Sequence, residues 1–188
     1  MRKLVYAINT SVDGCCDHRK GISSEEVLDH YTKMLGESGL LIYGRITYQL
    51  MVPYWPDVAK DESATRAEKE FARAFGAVDR VVFSRTLEKA DEEKTRIVRT
   101  GLREEILRLK EEPGKDMFLG GVALPSQLIE MGLVDEFRFL VQPLLVGEGR
   151  RLLDGAKLTE RLGLKLVESK VSPSGCVSLQ YLKGGVVA

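Results

Sequence analysis

Three stretches put glycine, hydroxyl or guanidinium groups where an apolar run ends: Gly44-Arg45-Ile46-Thr47, Ser84-Arg85-Thr86 and Gly120-Gly121-Val122-Ala123-Leu124. A glycine pair lets a backbone turn sharply and lets a ligand approach it closely. Free N–H groups at a helix start form a seat for phosphate, and the helix dipole adds attraction. Arginine presents a planar fork that fits an oxyanion, and a neighbouring hydroxyl adds a donor. Phosphate chemistry at several separated points is therefore the first expectation.

The elements that position these groups alternate. Lys3 to Thr10 is a largely apolar strand suited to burial on both faces, followed by the polar loop Ser11-Val12-Asp13-Gly14 and Cys15 to Gly21. Ser23 or Ser24 caps a helix from Glu25-Glu26 through Val27, Leu28, Tyr31, Met34 and Leu35, ended by Gly36 or Gly39. Leu40 to Tyr43 is a strand, and Gly44 turns it into a short helix that Pro53 stops. Tyr54-Trp55-Pro56 reads as loop, and a charged helix follows from Ser63 to Phe75, with Glu62–Arg66 and Glu70–Arg73 as side-chain pairs. Arg80 to Ser84 and an edge-like Thr95 to Arg99 are strands, Leu102 to Lys110 a helix, and Met117 to Leu119 a short buried strand. Past Gly120-Gly121, the residues Ala123, Leu124, Leu128 and Met131 return at helical spacing. Asp135 to Pro143 alternates as a strand, and Leu164 to Val171 with Cys176 to Leu182 make a terminal hairpin.

This pattern predicts an α/β fold: a mixed, mostly parallel central sheet with helices on both faces and an antiparallel C-terminal hairpin. Ligands of such sheets gather at the carboxyl ends of parallel strands, where all three motifs fall. A dinucleotide fits them, and its 2′-phosphorylated form fits better. Cations and hydroxyls stand where a free ribose hydroxyl would want a carboxylate, so NADPH is expected over NADH.

Composition narrows the class. The 188 residues suit one domain spanning 1–188, and 44% hydrophobic with 30% charged residues supports a real core. Lys+Arg 28 against Asp+Glu 28 gives no net charge to attract nucleic acid or an acidic membrane surface. No apolar run is long enough to span a bilayer, and three cysteines make a poor disulfide framework, so a cytoplasmic setting is expected. Cys15-Cys16-Asp17-His18 lacks the second ligand pair of a metal site, so no metal is expected, and Cys15 reads as a candidate exposed, oxidisable thiol. Gly147-Glu148-Gly149-Arg150 reads as a turn, and Tyr48, Tyr54 and Trp55 as packing or a cleft wall.

The order of motifs resembles the dihydrofolate reductase superfamily. It is most similar to the riboflavin-pathway branch: the RibD C-terminal pyrimidine reductase domain and its stand-alone bacterial relatives. The carrying pieces are Ser11-Val12-Asp13-Gly14, Gly44-Arg45-Ile46-Thr47-Tyr48, Phe83-Ser84-Arg85-Thr86, Phe118-Leu119-Gly120-Gly121 and Val134-Asp135-Glu136 leading to Pro143-Leu144-Leu145-Val146-Gly147-Glu148-Gly149. Together they span nearly the whole chain. The resemblance implies a three-layer dihydrofolate reductase-like fold, a homodimer and an NADPH-dependent reductase acting on a small molecule. It implies that Ile8 and Asn9 touch the nicotinamide end and that Gly44, Arg45 and Thr47 hold phosphate. By the same likeness Ser84 and Arg85 hold the adenosine 2′-phosphate, and Gly120, Gly121, Val122, Ala123 and Leu124 wrap the pyrophosphate and nicotinamide ribose.

Two departures stand out. The zinc deaminase that normally precedes the pyrimidine reductase has no counterpart of its His-x-Glu and Pro-Cys-x-x-Cys signature in this sequence. The proton-donating carboxylate of true dihydrofolate reductases, counted back from Gly44, falls at Leu28-Asp29, so Asp29 or Glu25 serves only with a shifted register. Asp13, Asp29 or a bound water is the expected proton source for hydride transfer to a C=N or C=O carbon. A non-catalytic NADP(H)-binding module and a phosphate-binding transferase are the alternatives.

Overall fold

The computed structural model describes residues 1–90 and 93–187. Its centre is an eight-stranded sheet in the order β4-β3-β2-β5-β1-β6-β8-β7. The strands are β1 (Leu4–Ser11), β2 (Leu40–Gly44), β3 (Arg80–Phe83), β4 (Thr95–Val98), β5 (Met117–Leu119), β6 (Glu136–Gln142), β7 (Arg161–Val171) and β8 (Val177–Val187). The six strands from β4 to β6 run parallel, and β8 pairs antiparallel with both β6 and β7. This is the mixed α/β architecture expected.

Side-chain alternation builds two cores, one on each face of the sheet. Leu4, Tyr6, Leu40, Ile42, Val81, Met117 and Leu119 point to one face. There they meet Ile106 and Leu109 of α5 (Leu102–Glu111) and Leu124, Leu128 and Ile129 of α6 (Ala123–Glu130). Val5, Leu41, Tyr43, Val82 and Phe118 point to the other face. They meet α1 (Glu25–Glu37), α2 (Arg45–Met51) and α4 (Arg66–Ala77) through Met34, Leu35, Tyr48, Phe71 and Phe75. The result is three layers.

Local chemistry fixes the helix starts. The Ser24 side chain accepts from Val27 N–H at 3.3 Å, with Glu25 and Glu26 in the first turn. Thr65 and Glu68 form a reciprocal capping box, so the charged helix begins at Arg66 rather than Ser63. Arg66 pairs with Glu70 at 2.6 Å and Asp29 at 3.1 Å, not with Glu62. The expected loop at Tyr54 is instead a short helix, α3 (Tyr54–Val58), where Trp55 lies 4.3 Å from the Phe71 ring. Pro53 opens that helix, because a proline lacking an N–H is tolerated at a helix start. The hairpin is longer than its alternation implied: β7 starts at Arg161, and register shifts between Leu162 and Leu164 and between Leu166 and Glu168 hide its period.

The strand exits diverge at the middle of the sheet. Chain leaving β2 enters α2 on one face, while chain leaving β5 enters α6 on the other. Neighbouring strands whose exits diverge in this way leave a crevice between them.

Candidate active site

β5 has only three residues, pairing Leu4 to Tyr6 of β1 and Leu40 to Ile42 of β2. β1 continues to Ser11 and β2 to Gly44, so beyond Leu119 a gap one strand wide opens between them. Two interstrand spacings make it about 9–10 Å across, wide enough for a flat ring. Lys3 C=O accepts from Met117 N–H and Leu4 C=O from Asp135 N–H, both at 2.9 Å. Odd residues of β1 thus turn their backbone groups toward β5 and even residues toward β6. Past Tyr6, the C=O of Ala7 and both backbone groups of Asn9 therefore face the gap. Ser11 N–H donates to Cys15 C=O at 2.8 Å, so the following loop closes the top.

The floor is Gly120, whose N–H donates to Ile42 C=O at 3.2 Å. A Cβ at Gly120 would come 2.9 Å from the Tyr43 ring, and one at Gly121, where φ is +91°, would overlap the Thr47 hydroxyl. A Cβ at Gly44 would sit 3.5 Å from Leu124. The two glycine junctions thus pack against each other, and both face one crevice. α6 has no side-chain cap, and no backbone acceptor meets the N–H of Gly121, Val122, Ala123 or Leu124 among the described residues. Pro125 in the same turn has no N–H to satisfy. Val122 and Leu124 bury their side chains in the core, so only their backbone N–H groups are available to a ligand. Tyr6, which the sequence did not single out, donates its hydroxyl to Gly121 C=O at 2.9 Å and holds this turn.

Arg45 is exposed and donates to Gln49 at 2.9 Å, which leaves the rest of its fork available. Ser84 Oγ accepts from Thr86 N–H at 3.2 Å and Leu87 N–H at 2.9 Å, so its own O–H remains a donor. Arg85 is exposed beside it, with no ion pair among the described residues. Ile8 points into the α6-side core, whereas Asn9 points to the α1 side and accepts from the Tyr31 hydroxyl at 2.7 Å.

The proposed proton donors fare differently. Asp13 accepts from the Ser11 hydroxyl at 2.5 Å, Val146 N–H at 3.1 Å and Gly147 N–H at 2.8 Å. The Ser11 hydrogen bond, then those of Gly147 and Val146, lower its carboxyl to about 2, so it is ionised at neutral pH and locks two loops together. It cannot serve as a resting general acid. Asp29 is on the solvent side of α1, paired with Arg66, away from the gap that Asn9 and Tyr31 flank. Glu25 is exposed in the first turn of α1. Helix geometry explains the Asp29 miss: Val27 and Tyr31 point inward, so the position between them turns outward.

Cys15 is buried rather than exposed, and Cys16 donates its thiol to Arg150 C=O at 3.3 Å. Burial, then the neighbouring Cys15, pushes the Cys16 thiol up to about 11, which leaves it a poor nucleophile near neutral pH. Gln142, also unremarked in the sequence, accepts from Ile22 N–H at 2.8 Å and donates to Ile22 C=O at 2.9 Å. It ties the loop after β1 to the end of β6.

A three-layer sheet with this strand order and a crevice at the β2–β5–β1 switch is a dihydrofolate reductase-like fold. The Enterococcus faecalis dihydrofolate reductase, solved in complex with NADP(H), superposes with a TM-score of 0.64 at 12% identity, over 97% of each chain. The chain belongs to the RibD C-terminal domain family, whose profile matches residues 2–178. A putative riboflavin biosynthesis protein from Shewanella sp. PV-4 has a TM-score of 0.71 at 16% identity, covering 97% of this chain and 99% of that one. In sequence, the uncharacterized Bacillus subtilis protein YyaP is 32% identical over 184 residues, 96% of this chain and 94% of its own. Among the described residues no helix is long and apolar enough to cross a membrane.

Proposed function

We propose that this protein is an NADPH-dependent reductase that delivers hydride to a C=N or C=O carbon of a small heterocycle. A pterin or a ribosylamino-pyrimidine fits the family likeness to 5-amino-6-(5-phosphoribosylamino)uracil reductase and dihydrofolate reductase. The observation that carries the reading is the one-strand gap above Gly120, bordered by unpaired backbone of Ala7 and Asn9 and by the free N–H groups at the start of α6. The donor set fits a dinucleotide phosphate. Gly121 to Leu124 offer N–H groups to a pyrophosphate, Arg45 and Thr47 add a cation and a hydroxyl, and Ser84 with Arg85 suit a 2′-phosphate. The nicotinamide would supply the hydride; the chain supplies orientation, a site partly shielded from water and fixed dipoles. With Asp13 ionised and Asp29 outside, a water in the gap is the remaining expected proton source.

The test is a titration with NADPH and NADH, read by Trp55 fluorescence and checked by calorimetry. NADPH should bind at least tenfold more tightly, and Arg85→Ala should erase most of that preference, since a charged hydrogen bond contributes about 1.5–3 kcal/mol. No binding of either nucleotide would remove the reading. The commitment of both aspartates elsewhere favours one rival, an NADP(H)-binding module without turnover. Binding of NADPH without oxidation across a heterocycle panel would select it.

The assembly we propose is a homodimer. Phe139, Val141, Leu164, Leu179 and Tyr181 line an open, mostly apolar groove of about 380 Å³ that runs from β6, β8 and β7 to the end of β1 at Thr10 and Ser11. Such a face is a liability for a monomer. Light scattering should give twice the 21.0 kDa chain mass, and Leu164→Glu should halve it.

A further inference from the structure

The turn between β5 and α6 is held at three points. Gly120 N–H donates to Ile42 C=O at 3.2 Å, which ties its start to β2. Val122 C=O accepts from Ser126 N–H at 2.9 Å and from the Ser126 hydroxyl at 2.8 Å, which ties its end to α6. The Gly121–Val122 peptide lies between them, and no backbone N–H donates to its carbonyl among the described residues. It is held from outside the turn, by the Tyr6 hydroxyl 2.9 Å from Gly121 C=O. A carbonyl oxygen can only accept, so the phenol is the donor.

Tyr6 is well braced for this. Its ring is buried and meets Phe137 edge-on at 6.5 Å and Phe139 edge-on at 6.3 Å, which leaves the phenol little room to swing. Burial, then the neighbouring Cys16 and Tyr31, pushes the phenol well above its ordinary value, so it keeps its proton throughout the neutral range. In a trans peptide such as this one, C=O and N–H point in opposite directions. Drawing Gly121 C=O to Tyr6 therefore turns Val122 N–H away from it, and no backbone acceptor meets that N–H among the described residues.

We infer that Tyr6 is a positioning residue for dinucleotide binding: by holding Gly121 C=O, it aims Val122 N–H at the cofactor's pyrophosphate. This deepens the reductase reading and rests on it. Gly121 has no side chain to restrain its backbone, so without the hydroxyl the peptide gains freedom to rotate. Rotation withdraws a donor from the anion and brings a carbonyl's partial negative charge toward it. The glycine gives the turn its shape, and a strand 115 residues away gives it direction.

The experiment is an NMR titration of 15N-labelled protein with NADPH. In the wild type the amide protons of Val122 and Arg85 should both shift on binding, Val122 downfield as it donates to the pyrophosphate. Tyr6→Phe keeps both ring contacts and removes only the hydroxyl. It should bind NADPH about tenfold more weakly, the scale of one hydrogen bond. At saturation it should lose the Val122 shift and keep that of Arg85, whose 2′-phosphate seat is on another loop. Tyr6→Met removes the hydroxyl with an adaptable side chain and should give the same split, even if Tyr6→Phe fails to fold. A merely structural role would keep both shifts or lose both. If the wild type binds NADPH with no Val122 shift, or if the hydroxyl-free variants keep that shift or lose both, the inference is wrong and the reductase reading survives. An affinity within about twofold of the wild type would overturn it equally. If the wild type does not bind NADPH, both fall together.

Discussion

Gly121 and Thr47 belong to different helix starts, yet they touch: a single Cβ on the glycine would overlap the threonine hydroxyl. The contact welds the turn after β5 to the first turn of α2, so the two motifs that read as separate phosphate seats form one wall. Gly121→Ala should fail for two reasons, the collision and a φ of +91° that an L-residue adopts only under strain. A loss of about 2–4 kcal/mol is expected in urea unfolding. Adding Thr47→Ala should recover the steric part alone, leaving the backbone part of about 1–2 kcal/mol.

Asp13 makes acid sensitivity local. Its carboxyl is held near 2 in the folded chain by Ser11 and by the Gly147 and Val146 amides, against about 3.9 when unfolded. A depressed carboxylate stabilises the fold fully above the unfolded value, and the contribution fades as pH falls toward about 2. Between about pH 4 and 2 the Val146 and Gly147 amides should lose protection from hydrogen exchange in the wild type. In Asp13→Ala they should be unprotected at every pH.

Gln142 should control the loop after β1. Its paired bonds to Ile22 hold the segment between Cys16 and Ser24 against β6. Gln142 is 1% exposed, so Gln142→Ala creates a cavity and strands the Ile22 amide and carbonyl, costing about 2–3 kcal/mol. Exchange in residues 16–23 should accelerate well before global unfolding. NADPH affinity should fall less than loop protection, because the phosphate contacts we propose lie on α2, α6 and the β3 end.

At the opposite end of the sheet, Lys110 donates to Asp135 at 2.6 Å, and Asp135 also accepts from Leu4 N–H at 2.8 Å. The lysine is buried while the aspartate is about one-third exposed. Lys110→Met should cost about 1–3 kcal/mol, less than a fully buried pair, since water can reach the stranded carboxylate. Lys110→Met with Asp135→Asn should recover much of it, as thermal melts of the double variant would show.

The sequence was a good guide wherever physics acts over a few residues. Apolar runs placed all the strands, the Ser23-Ser24 pair marked a helix start that the structure gives to Ser24, and the glycine pair at 120–121 marked a strand-to-helix turn. It misjudged the Tyr54 region, because a proline-opened turn of helix and a loop look alike in so short a stretch. It shortened the hairpin, because bulges in β7 break the alternation that would have revealed it.

Composition and local pattern were enough to determine that this chain folds as an α/β domain with phosphate-suited strand ends. Only the tertiary structure decided which of those groups share a cleft. The gap exists because β5 is short relative to β1 and β2, a relation among strands far apart in the chain. Asp29 turned outward because its neighbours on α1 claimed the core, and Asp13 became a loop anchor because residues 133 and 134 positions away supplied its donors. A side chain's chemistry is written in its type, but its role depends on which distant backbone reaches it first.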